Sequence, residues 1–289
     1  MNPVVKIKNL TIGENQPVRL MAAVNLSQES FYKGSIVHYN EEKELETLFI
    51  NLLDQGTEII DFGPKSSAPK DIYGRETNIS PSEEIKRLEM PLKILRDINQ
   101  DVLISIDTQS SLVADFAFSK GADIINDISG LTGDKKLIEV IGDNSGYVII
   151  MACKNKPGDV FRKKKVIDAL ETSIKGTEKF IERDHVIIDP GIGGWIPERG
   201  PKDDFQLIMD TPDIKEKLGC PALIALSRKS FIGKTLDLPP EKRLSGSLAA
   251  TAISVLHGAD IIRTHDIVET KEAIIIAEMF KKLKYSFKI

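Results

Sequence analysis

The sequence predicts an α/β fold, a TIM (β/α)8 barrel, from three observations: eight short apolar runs, amphipathic helical stripes between them, and a polar or small residue ending nearly every run. The runs are Leu20–Val24, Glu58–Phe62, Val102–Ile106, Asp123–Asn126, Tyr147–Met151, His185–Ile188, Ala222–Leu226 and Asp260–Arg263. Val148-Ile149-Ile150 and Val186-Ile187-Ile188 are apolar at consecutive positions, which suits parallel strands buried on both faces. After the first run, Leu45, Leu48, Phe49, Leu52 and Leu53 make one helical stripe, and Gly56 is its stop. Ser80-Pro81-Ser82-Glu83 then supplies a capping hydroxyl, a proline at the first helical position and a glutamate three residues after the cap; Pro91 kinks or ends that helix. Ala273, Ile276, Phe280 and Leu283 form the stripe of the last helix. Gly-Ala-Asp-Ile-Ile occurs at 121–125 and again at 258–262, marking the same helix-to-strand junction twice. Residues 1–19 precede the first unit as an extension or a short capping hairpin. With no linker visible, residues 1–289 read as a single domain, and a doubly wound open sheet is the competing architecture.

Composition narrows the partners. Lys plus Arg number 39 against 43 Asp plus Glu, a net charge of −4, so no large cationic surface exists for a nucleic acid backbone. Cys153 and Cys220 have no zinc-ligand spacing and are too few for a disulfide framework, which points to a reducing compartment. Met1–Glu14 lacks a secretory apolar segment, and no run approaches the ~18 apolar residues of a membrane span, so a cytoplasmic protein without a membrane partner is expected.

The polar residues at the strand ends carry the functional reading. They are Asn25, Asp61 with Gly63, Asp107-Thr108, Asn126-Asp127, Asp189-Pro190-Gly191, Ser227-Arg228-Lys229-Ser230 and Arg263-Thr264-His265-Asp266. In a barrel these ends converge on one mouth, where such folds place their chemistry. An Asp or Asn after a strand is more often a turn former or helix cap, and Asp127 and Asp266 are assigned that ordinary role. Asp107, Asp189 and Asn126 facing one cavity instead supply acceptors and donors for a flat polar heterocycle. Arg263 and His265 alternate along an extended strand end, so they point the same way and can clamp one anion; the competing role is an ion pair with Asp266 or Glu269. Two long loops, Asn25–Asn40 and Gly63–Ile79, cover half of the mouth and read as lids that order on substrate binding.

In these segments the chain resembles the dihydropteroate synthases, the pterin-binding barrel enzymes of folate synthesis. The matching stretches are Ala23-Val24-Asn25-Leu26-Ser27-Gln28-Glu29-Ser30-Phe31, Ile59-Ile60-Asp61-Phe62-Gly63, Ile104-Ser105-Ile106-Asp107-Thr108, the run from Gly121 to Gly130, Ile188-Asp189-Pro190-Gly191-Ile192-Gly193, Ser227-Arg228-Lys229-Ser230-Phe231-Ile232-Gly233 and Arg263-Thr264-His265-Asp266. The resemblance implies condensation of 6-hydroxymethyl-7,8-dihydropterin pyrophosphate with p-aminobenzoate, giving 7,8-dihydropteroate and pyrophosphate. It implies that Asp107, Asn126, Asp189 and Lys229 hold the pterin ring, that Asn25 binds Mg²⁺ on the pyrophosphate, and that Arg263 and His265 grip that leaving group. Ser67 and Ser230 are further substrate contacts by the same resemblance, and a homodimer paired through outer helices is implied as well. No protein nucleophile is required, and Cys153 reads as a packing residue near the mouth.

Departures from the family pattern concentrate on the acceptor side. The second loop usually reads Gly-Glu-Ser-Thr-Arg-Pro, and here it is Pro64-Lys65-Ser66-Ser67-Ala68-Pro69, which loses the arginine. The first loop's Pro-Asp is Gln28-Glu29, Met-His-Met is Met151-Ala152-Cys153, and the aromatic after Gly-Ile-Gly is Gly194 with Trp195 following. Either Lys65 or Lys70 replaces the arginine and p-aminobenzoate remains the acceptor, or the acceptor is a modified arylamine such as a ribofuranosyl aminobenzene phosphate. A pterin-dependent methyltransferase and a noncatalytic pterin-binding protein are the readings from other classes. Arg263 and His265 speak against the methyltransferase, which has no pyrophosphate to expel.

Overall fold

The computed structural model describes residues 4–27, 37–66 and 79–286. A hairpin of β1 (Val4–Ile7) and β2 (Leu10–Gly13) comes first. Eight parallel strands follow: β3 (Arg19–Asn25), β4 (Ile59–Gly63), β5 (Leu103–Asp107), β6 (Ile124–Asp127), β7 (Tyr147–Met151), β8 (Val186–Asp189), β9 (Leu223–Ala225) and β10 (Ile261–Thr264). They pair in the order β8-β7-β6-β5-β4-β3-β10-β9. A parallel bridge between Ile188 and Ala222 closes the ring, with Ile188 N donating to Pro221 O at 2.9 Å. Closure of this kind is a barrel and excludes the open sheet.

The helices are α1 (Glu42–Asp54), α2 (Pro81–Ile98), α3 (Ser111–Ser119), α4 (Leu137–Asp143), α5 (Lys163–Thr177), α6 (Pro201–Leu218), α7 (Ser230–Leu236), α8 (Leu244–Leu256) and α9 (Ile267–Ser286). Ser80 caps α2 as its sequence predicts, its Oγ accepting from Glu83 N at 3.3 Å. Pro91 does not end that helix, which runs on to Ile98; the ring is buried beside Leu88 and Leu92, and this packing offsets the missing backbone donor. Among the described residues, no helix is long and apolar enough to cross a membrane.

Side-chain parity along the strands explains where the site forms. Met21, Ile59, Leu103, Ile124, Ile149, Ile187, Leu223 and Ile261, one from each barrel strand, make a single apolar cluster inside one end of the barrel. Val5, Ile7 and Ile12 of the hairpin join it and cover that end. Residues of the opposite parity, such as Leu20, Ala22, Ile60, Ile104 and Ile262, pack outward against the helices. Two residues beyond the apolar layer, the inward parity therefore delivers Ala23, Asp61, Ser105, Asn126, Met151, Asp189, Ala225 and Arg263 toward the other end.

Two sequence expectations need comment. The last helix turns its predicted stripe outward: Ile276, Phe280 and Leu283 are exposed, and Ile267, Ile274 and Ala277 are its buried apolar residues. Period alone locates an apolar face but not the surface it meets. Most of both long loops, residues 28–36 and 67–78, lies outside the described residues. The lid expectation and the readings of Gln28, Glu29, Ser67, Ala68 and Lys70 lie there too.

Candidate active site

Asp61 is the hub of the mouth. Its carboxylate is fully buried, and it accepts from Ser105 Oγ at 2.5 Å, from Arg263 Nε at 2.6 Å and from Asn126 Nδ2 at 3.4 Å. Those partners come from β5, β10 and β6, so one side chain ties four strands together. Arg263 Nη2 lies 3.6 Å from Asp107 Oδ2, and 17% of the Arg263 side chain remains exposed at the mouth. Burial alone would pull the guanidinium down, but Asp61 and Asp107 more than compensate and hold it charged. Arg263 thus pairs with Asp61 on β4, two strands along the ring, rather than with Asp266 or Glu269.

Asp107 is buried, and its carboxyl is pushed up to about 7 by burial and by the neighbouring Asp61, Asp127 and Glu84, with Arg263 pulling the other way. Asp189 is also raised by burial, opposed by Lys229 and by the N–H of Gly191, which donates to its Oδ1 at 2.7 Å. Lys229 is pulled down to about 8 by burial, against the attraction of Asp189 and Asp204. Its ammonium donates to Ile192 O and lies 5.2 Å from the centre of the Trp195 ring.

His265 sits beside β3. Its Nε2 is 3.2 Å from Asn25 Nδ2, and its Nδ1 is 3.1 Å from Ser227 Oγ. Burial and the nearby Arg263 hold the imidazole down at about 4, so it is neutral near pH 7. With the Asn25 amide as donor, Nε2 is the acceptor and the ring proton sits on Nδ1, facing the serine. His265 therefore offers polarity but no charge, and Arg263 carries the positive charge.

The remaining expectations resolve individually. Asp127 accepts from Ser129 N and Oγ at 3.0 and 2.8 Å and from Leu131 N, the loop-forming role assigned to it. Asp266 pairs with Arg228, Oδ1 to Nη2 at 2.7 Å and Oδ2 to Nε at 2.9 Å, so it stitches two strand ends together. Ser230 Oγ is buried without a hydrogen-bond partner among the described residues, and a Cβ on Gly194 would fall 2.2 Å from it. The Cys153 thiol is buried and pushed up to about 12, as befits a packing residue. Ser67 lies outside the described residues.

As a strand end Asp61 carries no role in the sequence, and its inward parity, two positions past Ile59, is the signal that marks it. The pattern is also silent on Arg199 and Asp204, a buried pair in the stretch following β8 with Nη2 to Oδ1 at 2.5 Å. Nothing in their local pattern marks either as buried.

The arrangement has close counterparts. Residues 21–265 match the model of a family described as pterin binding enzyme. A dihydropteroate synthase of Bacillus subtilis is 31% identical over 269 residues, covering 91% of this chain and 89% of that protein. A dihydropteroate synthase of Coxiella burnetii, solved in complex with pteroic acid, superposes with a TM-score of 0.80 at 31% identity over 97% of this chain and 99% of that one. A dihydropteroate synthase of Xanthomonas albilineans, solved with 4-aminobenzoic acid, gives 0.81 at 26% identity over the same shares, 97% and 99%.

Asp61→Ala leaves the buried Arg263 charge short of its main partner, and urea unfolding is expected to register a loss of roughly 3–5 kcal/mol. Asp61→Asn keeps an acceptor for Ser105 and is expected to lose less. Equal, small losses for both would remove Asp61 from the centre of the mouth.

Proposed function

The chain belongs to the pterin binding enzyme family, among the dihydropteroate synthases, and on that premise we propose that it condenses 6-hydroxymethyl-7,8-dihydropterin pyrophosphate with p-aminobenzoate, giving 7,8-dihydropteroate and pyrophosphate. It is a transferase of folate biosynthesis. The observation that carries the reading is the inward row of Asp61, Asp107, Asn126, Asp189 and Arg263 above an apolar barrel floor, with Asn25 and His265 beside it.

The carboxylates of Asp107 and Asp189 pair with the guanidine-like edge of the pterin, Asn126 adds an amide, and Lys229 donates from beside Asp189. The bond from the pterin methylene to the pyrophosphate oxygen breaks with its electron pair on the oxygen. The arylamine nitrogen then forms the new C–N bond and gives up a proton. Negative charge grows on the leaving oxygens, so Arg263, already held in place by Asp61, stabilises the transition state more than the ground state. His265 and Asn25 act together as a polar, neutral wall for the same group. Ser230 is a contact for the acceptor.

The donor chemistry fits Mg²⁺. Asn25 offers a hard amide oxygen at the end of β3, and Mg²⁺ ordinarily takes most of its shell from substrate phosphates and waters. When bound there, the ion would offset charge on the pyrophosphate. The acceptor is proposed to be p-aminobenzoate itself, with Lys65 standing for the absent loop arginine; Lys65 lines a cavity together with Asp107, Thr108 and Gln109.

A homodimer is proposed through the outer helices. Phe205 and Met209 of α6, Leu236 of α7 and Ile253 of α8 border an exposed apolar groove, and Ile276, Met279 and Phe280 of α9 extend the apolar surface. The outward stripe of α9 supports this reading. The chain is also proposed to act as one barrel domain.

Pyrophosphate release from the pterin pyrophosphate is expected to depend on added p-aminobenzoate; release that ignores the amine would leave a binder or hydrolase. His265→Ala is expected to lower kcat about 100-fold with little change in bare-pterin affinity. Arg263→Ala is expected to lower both, because Arg263 also helps keep Asp107 ionised.

The two shifted groups set a pH window. Asp107 loses its carboxylate as pH falls through about 7, and Lys229 loses its proton as pH rises through about 8, so pterin affinity is expected to peak between them. Asp107→Asn should flatten the acid limb in calorimetric titrations, and an unchanged limb would assign it to another group. Met279→Glu with Phe280→Glu is expected to convert a dimer to a monomer in sedimentation equilibrium; a parent protein that is already monomeric rejects the interface.

A further inference from the structure

The proposed reaction gives no role to the most deeply buried ion pair among the described residues, Arg199 with Asp204. Arg199 and Asp204 side chains are 0% and 1% exposed, and Arg199 Nη2 lies 2.5 Å from Asp204 Oδ1. The guanidinium packs 5.9 Å from the centre of the Phe161 ring, and none of its nitrogens makes an aligned hydrogen bond among the described residues. The arginine is therefore held for its charge rather than for its fork of donors.

What Asp204 does with its other contact is informative. Its Oδ1 accepts from Gly193 N at 2.7 Å, while Asp189 Oδ1 accepts from Gly191 N at 2.7 Å. Two carboxylates thus pin the turn Gly191-Ile192-Gly193 from either side. The carbonyl of Ile192, between them, accepts from Lys229 Nζ. Gly193 has φ +133°, and a Cβ there would fall 2.7 Å from Lys229 Cδ, so the turn and the lysine stem are in direct contact. The chain of contacts runs from Arg199 through Asp204 and the turn to the lysine.

We propose that Arg199 is a positioning residue for Lys229: by neutralising Asp204 it keeps the turn after β8 where Ile192 O aims the ammonium at the pterin ring. Without Arg199, the buried Asp204 carboxylate loses the largest of the charges that stabilise it and keeps only Lys229 and the Gly193 N–H. A carboxylate that has lost its main cation turns toward water to regain hydration, and that turn takes its oxygen away from Gly193 N. The inference rests on the reading of Lys229 as a pterin contact.

The experiment compares Arg199→Met, Arg199→Lys and Arg199→Met/Asp204→Asn with the parent in steady-state kinetics, each checked for folding by circular dichroism. Arg199→Met is expected to raise KM for the pterin pyrophosphate about tenfold, with KM for p-aminobenzoate unchanged. The double variant is expected to return most of the way, because asparagine still accepts from Gly193 and leaves no charge to compensate. Arg199→Lys keeps the charge and should fall between parent and methionine.

The alkaline limb of the pH profile is a second readout. Lys229 faces Asp189, Asp204, Arg199 and Arg263; Arg199 lowers its pKa and Asp204 raises it. The limb is therefore expected to move up in Arg199→Met and to move back in the double variant. A folded Arg199→Met with the parent KM and limb overturns the proposal, as does a folded double variant no better than the single one. If Arg199→Met does not fold, the double variant decides: parent-like KM supports the proposal, and a raised KM overturns it. Calorimetry of Lys229→Ala with a pterin separates the underlying assignment, since parent-like binding there rejects the role of Lys229 itself.

Discussion

The buried contact between Asp61 and Arg263 is the constraint on which the mouth depends. It joins β4 to β10, the two strands that flank β3, and through Ser105 and Asn126 it reaches β5 and β6. Burial penalises the guanidinium, and Asp61 and Asp107 outweigh that penalty. In exchange the arginine holds Asp107 below the level that burial alone would give it. The permanent charge of Arg263 thus favours the ionised form of Asp107.

An arrangement of this kind contributes little net stability, because desolvating both ions consumes most of their attraction. Its value is geometric. Donors fixed before the substrate arrives need no reorganisation when charge develops on a leaving group. The same logic extends around the mouth: Arg228 with Asp266 ties the strand 9 and strand 10 ends, and Arg199 with Asp204 braces the turn beneath Lys229. His265 is the exception, kept neutral by burial and by its cationic neighbour, which leaves it polar without adding to the positive field.

Much of this was legible in the chain. The apolar runs located all eight barrel strands, the Ser80-Pro81 cap started a helix where it should, and the residues Asn25, Asp107, Asn126, Asp189, Lys229, Arg263 and His265 do come together at one end. Most strand limits shifted by about one residue because backbone pairing continues through the polar residue that ends the apolar run, whereas β9 is one residue shorter than its run at each end. Asp61 went unassigned even though its spacing from Ile59 already put it on the inward face. Arg199 could not have been found at all: its surroundings are polar in sequence, and its burial comes from Phe161 and Asp204, which approach from other segments.

The sequence by itself determined the period-two strands, the helices between them and the order in which polar residues end each strand, since these depend on neighbours a few positions apart. The tertiary structure decided which charges meet. Whether Arg263 paired with Asp266, three residues later, or with Asp61, more than two hundred residues earlier, depended on how the ring closes and which way each strand end faces. The same holds for the outward turn of the last helix and for the brace under Lys229. Electrostatic pairing and burial are set by distance in space, and separation along the chain carries almost no information about that distance once a barrel has closed.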